Sequence, residues 1–186
     1  MPKLVLASQS PRRKELLTAA GFVFTVRTVT VPEIRGADEN PVDYVRRLAQ
    51  MKAEAVGRMD DEVILGADTV VVAGHSVLEK PGDSVDAARM LALLSSHSHQ
   101  VITGICLVHS GGAIIDHSIT RVTFQEMSQA EIDAYVHTGE PMDKAGAYAI
   151  QGLASKFVKQ VHGCYFNVVG LPVSLVYQYA KKIGLI

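Results

Sequence analysis

Cysteine is scarce: Cys106 and Cys164 are the only two in 186 residues. Their number and spacing suit neither a metal finger nor a disulfide framework, so buried free thiols are expected. Long apolar runs are missing as well. The first such run, Leu4–Ala7, is short and soon followed by arginines, and no stretch approaches the roughly 18 apolar residues of a membrane span. Neither a signal peptide nor a membrane partner is expected, and a reducing cytoplasm is the expected compartment. Nor is there an excess of charge of one sign. Lys and Arg number 18 against 19 Asp and Glu, a formal net charge of −1, which leaves no global basic field to attract nucleic acid. Basic chemistry must therefore be local. Internal repeats, low-complexity tracts and long linkers are absent too.

What is present is ordinary globular composition, 48% hydrophobic and 20% charged. It suffices for one domain with a core, or two small lobes sharing one, and the chain is read as a single domain over 1–186. Elements alternate along it. A strand over Leu4–Ala7 precedes a helix from Pro11 to about Ala20, with Ser10 as N-cap and Gly21 as C′ glycine. Phe22–Val31 reads as a strand. Asn40-Pro41 caps a helix to about Met59 with Val42, Val45, Leu48, Ala49 and Val56 on one face. Val63–Val72 is nearly continuous apolar sequence, as in a strand covered on both faces. Asp83 and Asp86 form a capping pair for a helix through Ser95. Gln100–His109 and Ala113–Gln125 read as paired strands joined at Gly111-Gly112. Ser128 with Glu131 fits a capping box opening a helix to Gly139. Phe157–Val161 and Tyr165–Val169 read as short strands, and Pro172 opens a last helix to about Ile183. The central hairpin interrupts strict strand–helix alternation, so an α/β fold with a mixed sheet is expected.

Several polar stretches interrupt this pattern. Ser8-Gln-Ser-Pro-Arg-Arg13 puts two cations in a first helical turn, where the macrodipole favours negative charge. A phosphate chain bound by the free N–H groups would reconcile them, with Arg12 and Arg13 beside it and Ser8 and Ser10 as hydroxyl donors. A solvated arginine pair is the other reading. In Val63-Ile-Leu-Gly-Ala-Asp68-Thr69-Val-Val-Val72, a carboxylate lies inside an apolar strand, which costs several kcal/mol unless it is paired or binds a metal. Gly66 there admits a close backbone or ligand. Asp68 is either a functional carboxylate or a strand-end turn residue. Lys52 falls on the apolar face of its helix and either snorkels or reaches into a cleft. Leu78-Glu-Lys80-Pro-Gly-Asp83 is a charged turn, with a functional lysine or plain solvation equally open. Gly139-Glu-Pro-Met-Asp-Lys-Ala-Gly-Ala-Tyr-Ala-Ile-Gln151-Gly152 is too polar and glycine-rich for a core element; its mixture suits an ordered binding loop or a surface loop. Arg13 and Lys80 are both expected in polar loops, where substitution would affect substrate use more than stability. His97 and His99 are assigned no role.

Together these stretches resemble the Maf family of nucleoside triphosphate pyrophosphatases. The resemblance runs through Leu-Ala-Ser-Gln-Ser-Pro-Arg-Arg13, the Pro41–Ala53 helix, Gly66-Ala-Asp-Thr69, Glu79-Lys-Pro81, Gly139-Glu-Pro-Met-Asp-Lys-Ala-Gly-Ala-Tyr148, Gln151-Gly152 and Asn167-Val-Val-Gly-Leu-Pro172, nearly the whole chain. Pro32, where the family usually has Asp, and Ala149, where Gly is common, depart from it. The resemblance implies an elongated two-lobed α/β structure related to ITPase-like folds, a twisted mixed sheet and an active site in the central cleft. It implies a frequent homodimer, a divalent cation (Mg²⁺ or Mn²⁺), and cleavage of a nucleoside triphosphate to the monophosphate and pyrophosphate. It carries the base role to Asp68, with Glu33, Lys52 and Lys80 as catalytic partners, Glu33 and Asp68 as metal ligands, and Ser8, Arg12 and Arg13 at the phosphates. One branch of the family acts on dTTP and UTP, another on 7-methyl-GTP. In the latter the positions of Arg12, Thr69 and Gln151 tend to be Trp, Gln and Glu, so this chain resembles the dTTP/UTP branch. Removal of modified nucleotides is a variant of the same reaction. The alternative implied by the family is a nucleotide-responsive regulator of septum formation acting by binding.

Overall fold

The computed structural model describes residues 2–186. Among the described residues, seven strands and six α-helices follow in order: β1 (Lys3–Leu6), α1 (Pro11–Ala19), β2 (Phe24–Val26), α2 (Pro41–Ala55), β3 (Glu62–Ala73), β4 (Ser76–Leu78), α3 (Ser84–Leu94), β5 (Ser98–His109), β6 (Gly112–Phe124), α4 (Gln129–His137), β7 (Val158–His162), α5 (Tyr165–Val169) and α6 (Val173–Lys182). The strands form one mixed sheet in the order β2-β1-β3-β5-β6-β7, with β4 paired to β3. β1 runs parallel to β2 and β3, with Leu4 opposite both Phe24 and Val63; β4 and β7 pair antiparallel with β3 and β6. The expected mixed α/β sheet is present.

The chain forms two compact units. The first comprises the residues up to Asp68, Thr103–Ser118 and Gly170–Ile186; the second comprises Thr69–Ile102 and Ile119–Val169. In the first, Val5, Ala7, Ala49, Ala53, Ile64 and Cys106 pack as one apolar cluster. Both cysteines are free thiols, Cys106 buried and Cys164 half-buried, and burial pushes the Cys106 thiol up to about 12.

Local signals place most element ends. Pro11 opens α1 behind Ser10, and Gly21 follows its end in the left-handed region at φ +77°. Asp83 accepts from the Asp86 N–H at 2.8 Å, while the Asp86 carboxylate reaches back to Gly82 N at 3.1 Å. Ser128 and Glu131 close the capping box of α4. Four expectations need correction. Ser10 stands at the N-cap of α1 but makes no side-chain cap; instead its own N–H donates to the Ser8 hydroxyl at 3.2 Å. α2 stops at Ala55, because Gly57 at φ +67° turns the chain out ahead of Met59. Within Phe22–Val31 only Phe24–Val26 pairs, since β1, its partner there, is itself short. Tyr165–Val169 is helical despite its β-rich composition: Asn167 turns inward, donating to the Val101 carbonyl at 2.9 Å and to Thr120 Oγ1 at 3.0 Å. That tertiary contact outweighs propensity.

The second unit holds a buried aromatic triad. His99, Phe124 and Tyr148 meet edge to face at centroid distances of 5.1, 5.4 and 4.8 Å. His99 Nε2 lies 2.8 Å from the Tyr148 hydroxyl. Burial disfavours the imidazolium and lowers the His99 pKa to about 4. The folded value thus lies below the unfolded value of about 6.5, so stability present above pH ~6.5 drains away as pH falls toward the folded value, about 3 kcal/mol in all. Urea unfolding at pH 7 and pH 4.5 should show this loss, and His99→Gln should shrink it. An undiminished loss in His99→Gln would assign the acid lability to other groups.

Candidate active site

The first unit assembles its polar residues from three directions. β3 carries Asp68 near its middle, last in its first buried run, and α2 lies against it. Lys52, on the inward face of α2, places Nζ 2.5 Å from Asp68 Oδ1 and 2.7 Å from Glu33 Oε1. Lys52 therefore does not snorkel to water; it bridges two carboxylates. Its side chain is 15% exposed and that of Asp68 11%, against 50% for Glu33. The bridge joins an inner carboxylate to an outer one.

Glu33 stands on an irregular segment that α2 holds in place. The hydroxyl of Tyr44 donates to the Glu33 carbonyl at 3.2 Å. Arg47 grips the Glu39 carboxylate through two nitrogens at 2.7 and 2.8 Å and donates to the Ile34 carbonyl at 2.9 Å. That fork drives the Glu39 pKa down to about 2. Tyr44 and Arg47 are functional supports that residue-by-residue reading passed over, although both fall in the family-like helix. Their signal was the placement of an aromatic and an arginine one turn apart, beside an otherwise unanchored segment.

Arg13 comes from α1. Its Nε donates to the Gly170 carbonyl at 2.8 Å, and Nη1 to the Ala67 carbonyl at 2.9 Å and the Ser8 hydroxyl at 3.1 Å. It is buried rather than lying in a polar loop. The expectation that its loss would spare stability is therefore corrected: removing it breaks buried hydrogen bonds to two carbonyls and a hydroxyl. Its guanidinium fixes the backbone just before Asp68. Burial pulls the Arg13 pKa down, opposed by the negative Asp68. Ser8 Oγ accepts from both Ser10 N and Arg13 Nη1, so its own proton is what it could offer to an anion. Arg12, half-buried, sits in the same first turn of α1, which contains no acidic residue.

Burial is the largest influence on Asp68 and raises its pKa; Lys52 and Arg13 pull the other way, and Glu33 adds to the rise. The balance yields a carboxylate readier to take a proton than a surface aspartate. Ser8, Arg13, Lys52, Glu33 and Asp68 are thus brought together. Thr69, Lys80 and Gln151 belong to the second unit. There Thr69 is half-buried on β3, Lys80 is exposed after β4, and Gln151 is exposed. The glycine-rich stretch that contains Gln151 is ordered into short 3₁₀ turns, Glu140–Asp143 and Ala145–Ala147, followed by Leu153–Phe157. Its Gly146 N–H donates to the Glu79 carbonyl at 3.1 Å, next to Lys80.

A mixed α/β sheet with a lysine-bridged carboxylate pair beside an arginine-bearing helix N-terminus defines a protein built to handle a polyanion. The chain belongs to the Maf-like protein family, whose model matches residues 3–183. It is 52% identical over 184 residues to a dTTP/UTP pyrophosphatase of Koribacter versatilis (strain Ellin345), covering 98% of this chain and 95% of that protein. It is 44% identical over 186 residues to a dTTP/UTP pyrophosphatase of Bacillus cereus (strain AH820), covering 100% and 97%. Among solved structures, a HAM1 protein from Coxiella burnetii overlaps at a TM-score of 0.42 with 16% identity, over 81% of this chain and 89% of that one.

Proposed function

We propose that this chain hydrolyses nucleoside triphosphates, preferentially dTTP and UTP, to the monophosphate and pyrophosphate, with Asp68 as the proton acceptor. The observation that carries the reading is the buried Asp68, braced by Lys52 and flanked by Arg13. The family and the activity named for its relatives support it. In this reading a water oxygen bonds to the α-phosphorus as the bond to the bridging oxygen breaks. Pyrophosphate leaves with the bond's electron pair, and the water's proton passes to Asp68. Lys52 holds the acceptor carboxylate in place and, with Arg12, Arg13 and Lys80, offsets the triphosphate's charge. Ser8 donates to a phosphate oxygen. Thr69, Gln151 and Arg12 select the base, as their match to the dTTP/UTP branch suggests.

Lys52 occupies Asp68 Oδ1 and Glu33 Oε1, which leaves the second oxygen of each carboxylate for a divalent cation of the Mg²⁺ or Mn²⁺ type held together with substrate phosphates, since such ions need only one or two carboxylates from the protein. Among the described residues no cluster of three or more metal-ligating side chains exists, so a dedicated all-protein cage is not the design. Such an ion supplies charge neutralisation at the phosphates and lowers the pKa of bound water. The cytoplasm and a homodimeric state complete the reading; no helix among the described residues is long and apolar enough to cross a membrane.

Pyrophosphate release should be compared side by side for dTTP, UTP, CTP, GTP and 7-methyl-GTP, by kcat/KM. dTTP and UTP should lead, chelator should abolish turnover, and Mg²⁺ or Mn²⁺ should restore it. A preference for 7-methyl-GTP overturns the branch assignment, and no release from any nucleotide overturns the activity.

A further inference from the structure

We propose that Glu140 and Tyr135 are positioning residues for base selection, because together they fix the backbone on both sides of Gln151. The inference rests on the reading that Gln151 meets the base. The Tyr135 hydroxyl donates to Glu140 Oε1 at 2.7 Å and accepts from the Ala149 N–H at 3.2 Å. The other oxygen, Glu140 Oε2, accepts from the Leu153 N–H at 3.1 Å. The Gly152 N–H closes back on the Ala149 carbonyl at 3.0 Å. A hydroxyl and a carboxylate thus hold residues 149 and 153, two steps either side of Gln151.

The holders are themselves held. Tyr135 is buried on α4 with its ring edge to face with Phe157, at 5.9 Å between centroids. Burial and its bond to Glu140 push its hydroxyl above the ordinary phenol range, so it remains a donor. Glu140 donates its N–H to Thr138 Oγ1 at 3.2 Å, and its carbonyl accepts from Lys144 Nζ at 2.8 Å. Gly152 completes the fit: a Cβ there would lie 2.4 Å from Glu140 Oε2. Only glycine lets the carboxylate reach past to Leu153.

The chemistry makes this placement matter. Uracil and thymine present an acceptor beside the N3–H donor, and cytosine presents the reverse at the exocyclic position. An amide can satisfy either by flipping. The Gln151 side chain is exposed, so the backbone that carries it sets the origin and reach of its amide, and with them how closely the amide can be presented to one base edge. Loosening that backbone lets the amide accommodate either base.

The test compares Glu140→Leu, Tyr135→Phe and Gly152→Ala with wild type, using kcat and KM for dTTP, UTP and CTP, and amide hydrogen exchange at Ala149 and Leu153. Loss of one such hydrogen bond should raise KM for dTTP and UTP about tenfold and cut discrimination against CTP about tenfold, with kcat changing far less. Exchange should quicken at Leu153 in Glu140→Leu, which keeps bulk but offers no acceptor, and at Ala149 in Tyr135→Phe. Gly152→Ala keeps both holders and displaces the carboxylate, so it should reproduce the selectivity change should either other variant fold poorly. An equal loss on all three nucleotides, or unchanged selectivity, overturns the inference while leaving the proposed function standing. A wild-type protein that does not favour dTTP and UTP over CTP overturns both the base preference and this inference.

Discussion

Asp68→Asn is expected to lower kcat by about 10²–10⁴-fold, the usual scale for losing a general base, while leaving the melting temperature at pH 7 unchanged or raised. The substitution keeps the shape and leaves an oxygen that can accept from Lys52, which in the native protein lies 2.5 Å from Oδ1. It removes the capacity to take a proton from water. The stability expectation follows from sign. Burial, the largest influence, lifts the Asp68 pKa against the pull of Lys52 and Arg13. A carboxyl whose folded pKa exceeds its unfolded one, about 3.9, contributes stability below that unfolded value and loses it as pH rises through the folded one. At pH 7 the ionised Asp68 therefore costs stability, and a neutral isostere relieves that cost. Activity without matching stability is a common pattern for catalytic groups. Wild-type turnover should fall on acidification at a pH above that of a surface aspartate. Nucleotide binding to the variant, followed by titration calorimetry, should survive. A variant with normal turnover sinks the base assignment; a variant that unfolds at pH 7 shows instead that the Asp68 charge holds the fold together.

Much of this is legible in the sequence wherever the chemistry is local. The prolines that open α1 and α2, the Ser128–Glu131 box and the apolar run of β3 each encode their outcome within a few residues. The anomaly of a carboxylate in that run pointed to Asp68, because burying an unpaired charge is costly whatever the fold. What stayed hidden depended on contacts between distant residues. Nothing in Lys52's own neighbours says that its ammonium meets Asp68 and Glu33 rather than water. Arg13 reads from sequence as a phosphate-facing cation in a polar loop, because the carbonyls it serves, at Ala67 and Gly170, are remote in sequence. Tyr165–Val169 reads as a strand for the same reason: its helical turn is set by what Asn167 reaches, 66 residues back at Val101.

Gly66→Ala should be the most damaging small substitution in the first unit, costing about 3 kcal/mol or more of stability and about 10²-fold in turnover. The reading of Gly66 as a point of close approach is borne out, and what approaches is backbone. A Cβ on Gly66 would sit 2.1 Å from the Ala49 carbonyl oxygen and 2.9 Å from Ala53 N, both on α2. One turn earlier along that helix, a Cβ on Gly104 would sit 2.4 Å from the Val45 carbonyl oxygen. Two glycines on β3 and β5 thus let α2 lie with its main chain directly on the sheet. A helix backbone has no flexible end to swing aside, so even one methyl must push the whole segment away. Lys52 lies between Ala49 and Ala53, and Asp68 follows Gly66 by two residues on the same strand face. The displacement that relieves the clash is therefore the displacement that pulls Nζ from the carboxylates. Both effects should appear together: a lower urea midpoint, and reduced kcat at temperatures where the variant remains folded. Gly82→Ala is the control, since a Cβ there meets nothing within 4 Å, and it should melt and turn over like wild type. Wild-type stability in Gly66→Ala would mean that α2 is free to ride higher on the sheet. Full turnover in a destabilised Gly66→Ala would mean that the Lys52 bridge does not depend on how closely the helix sits.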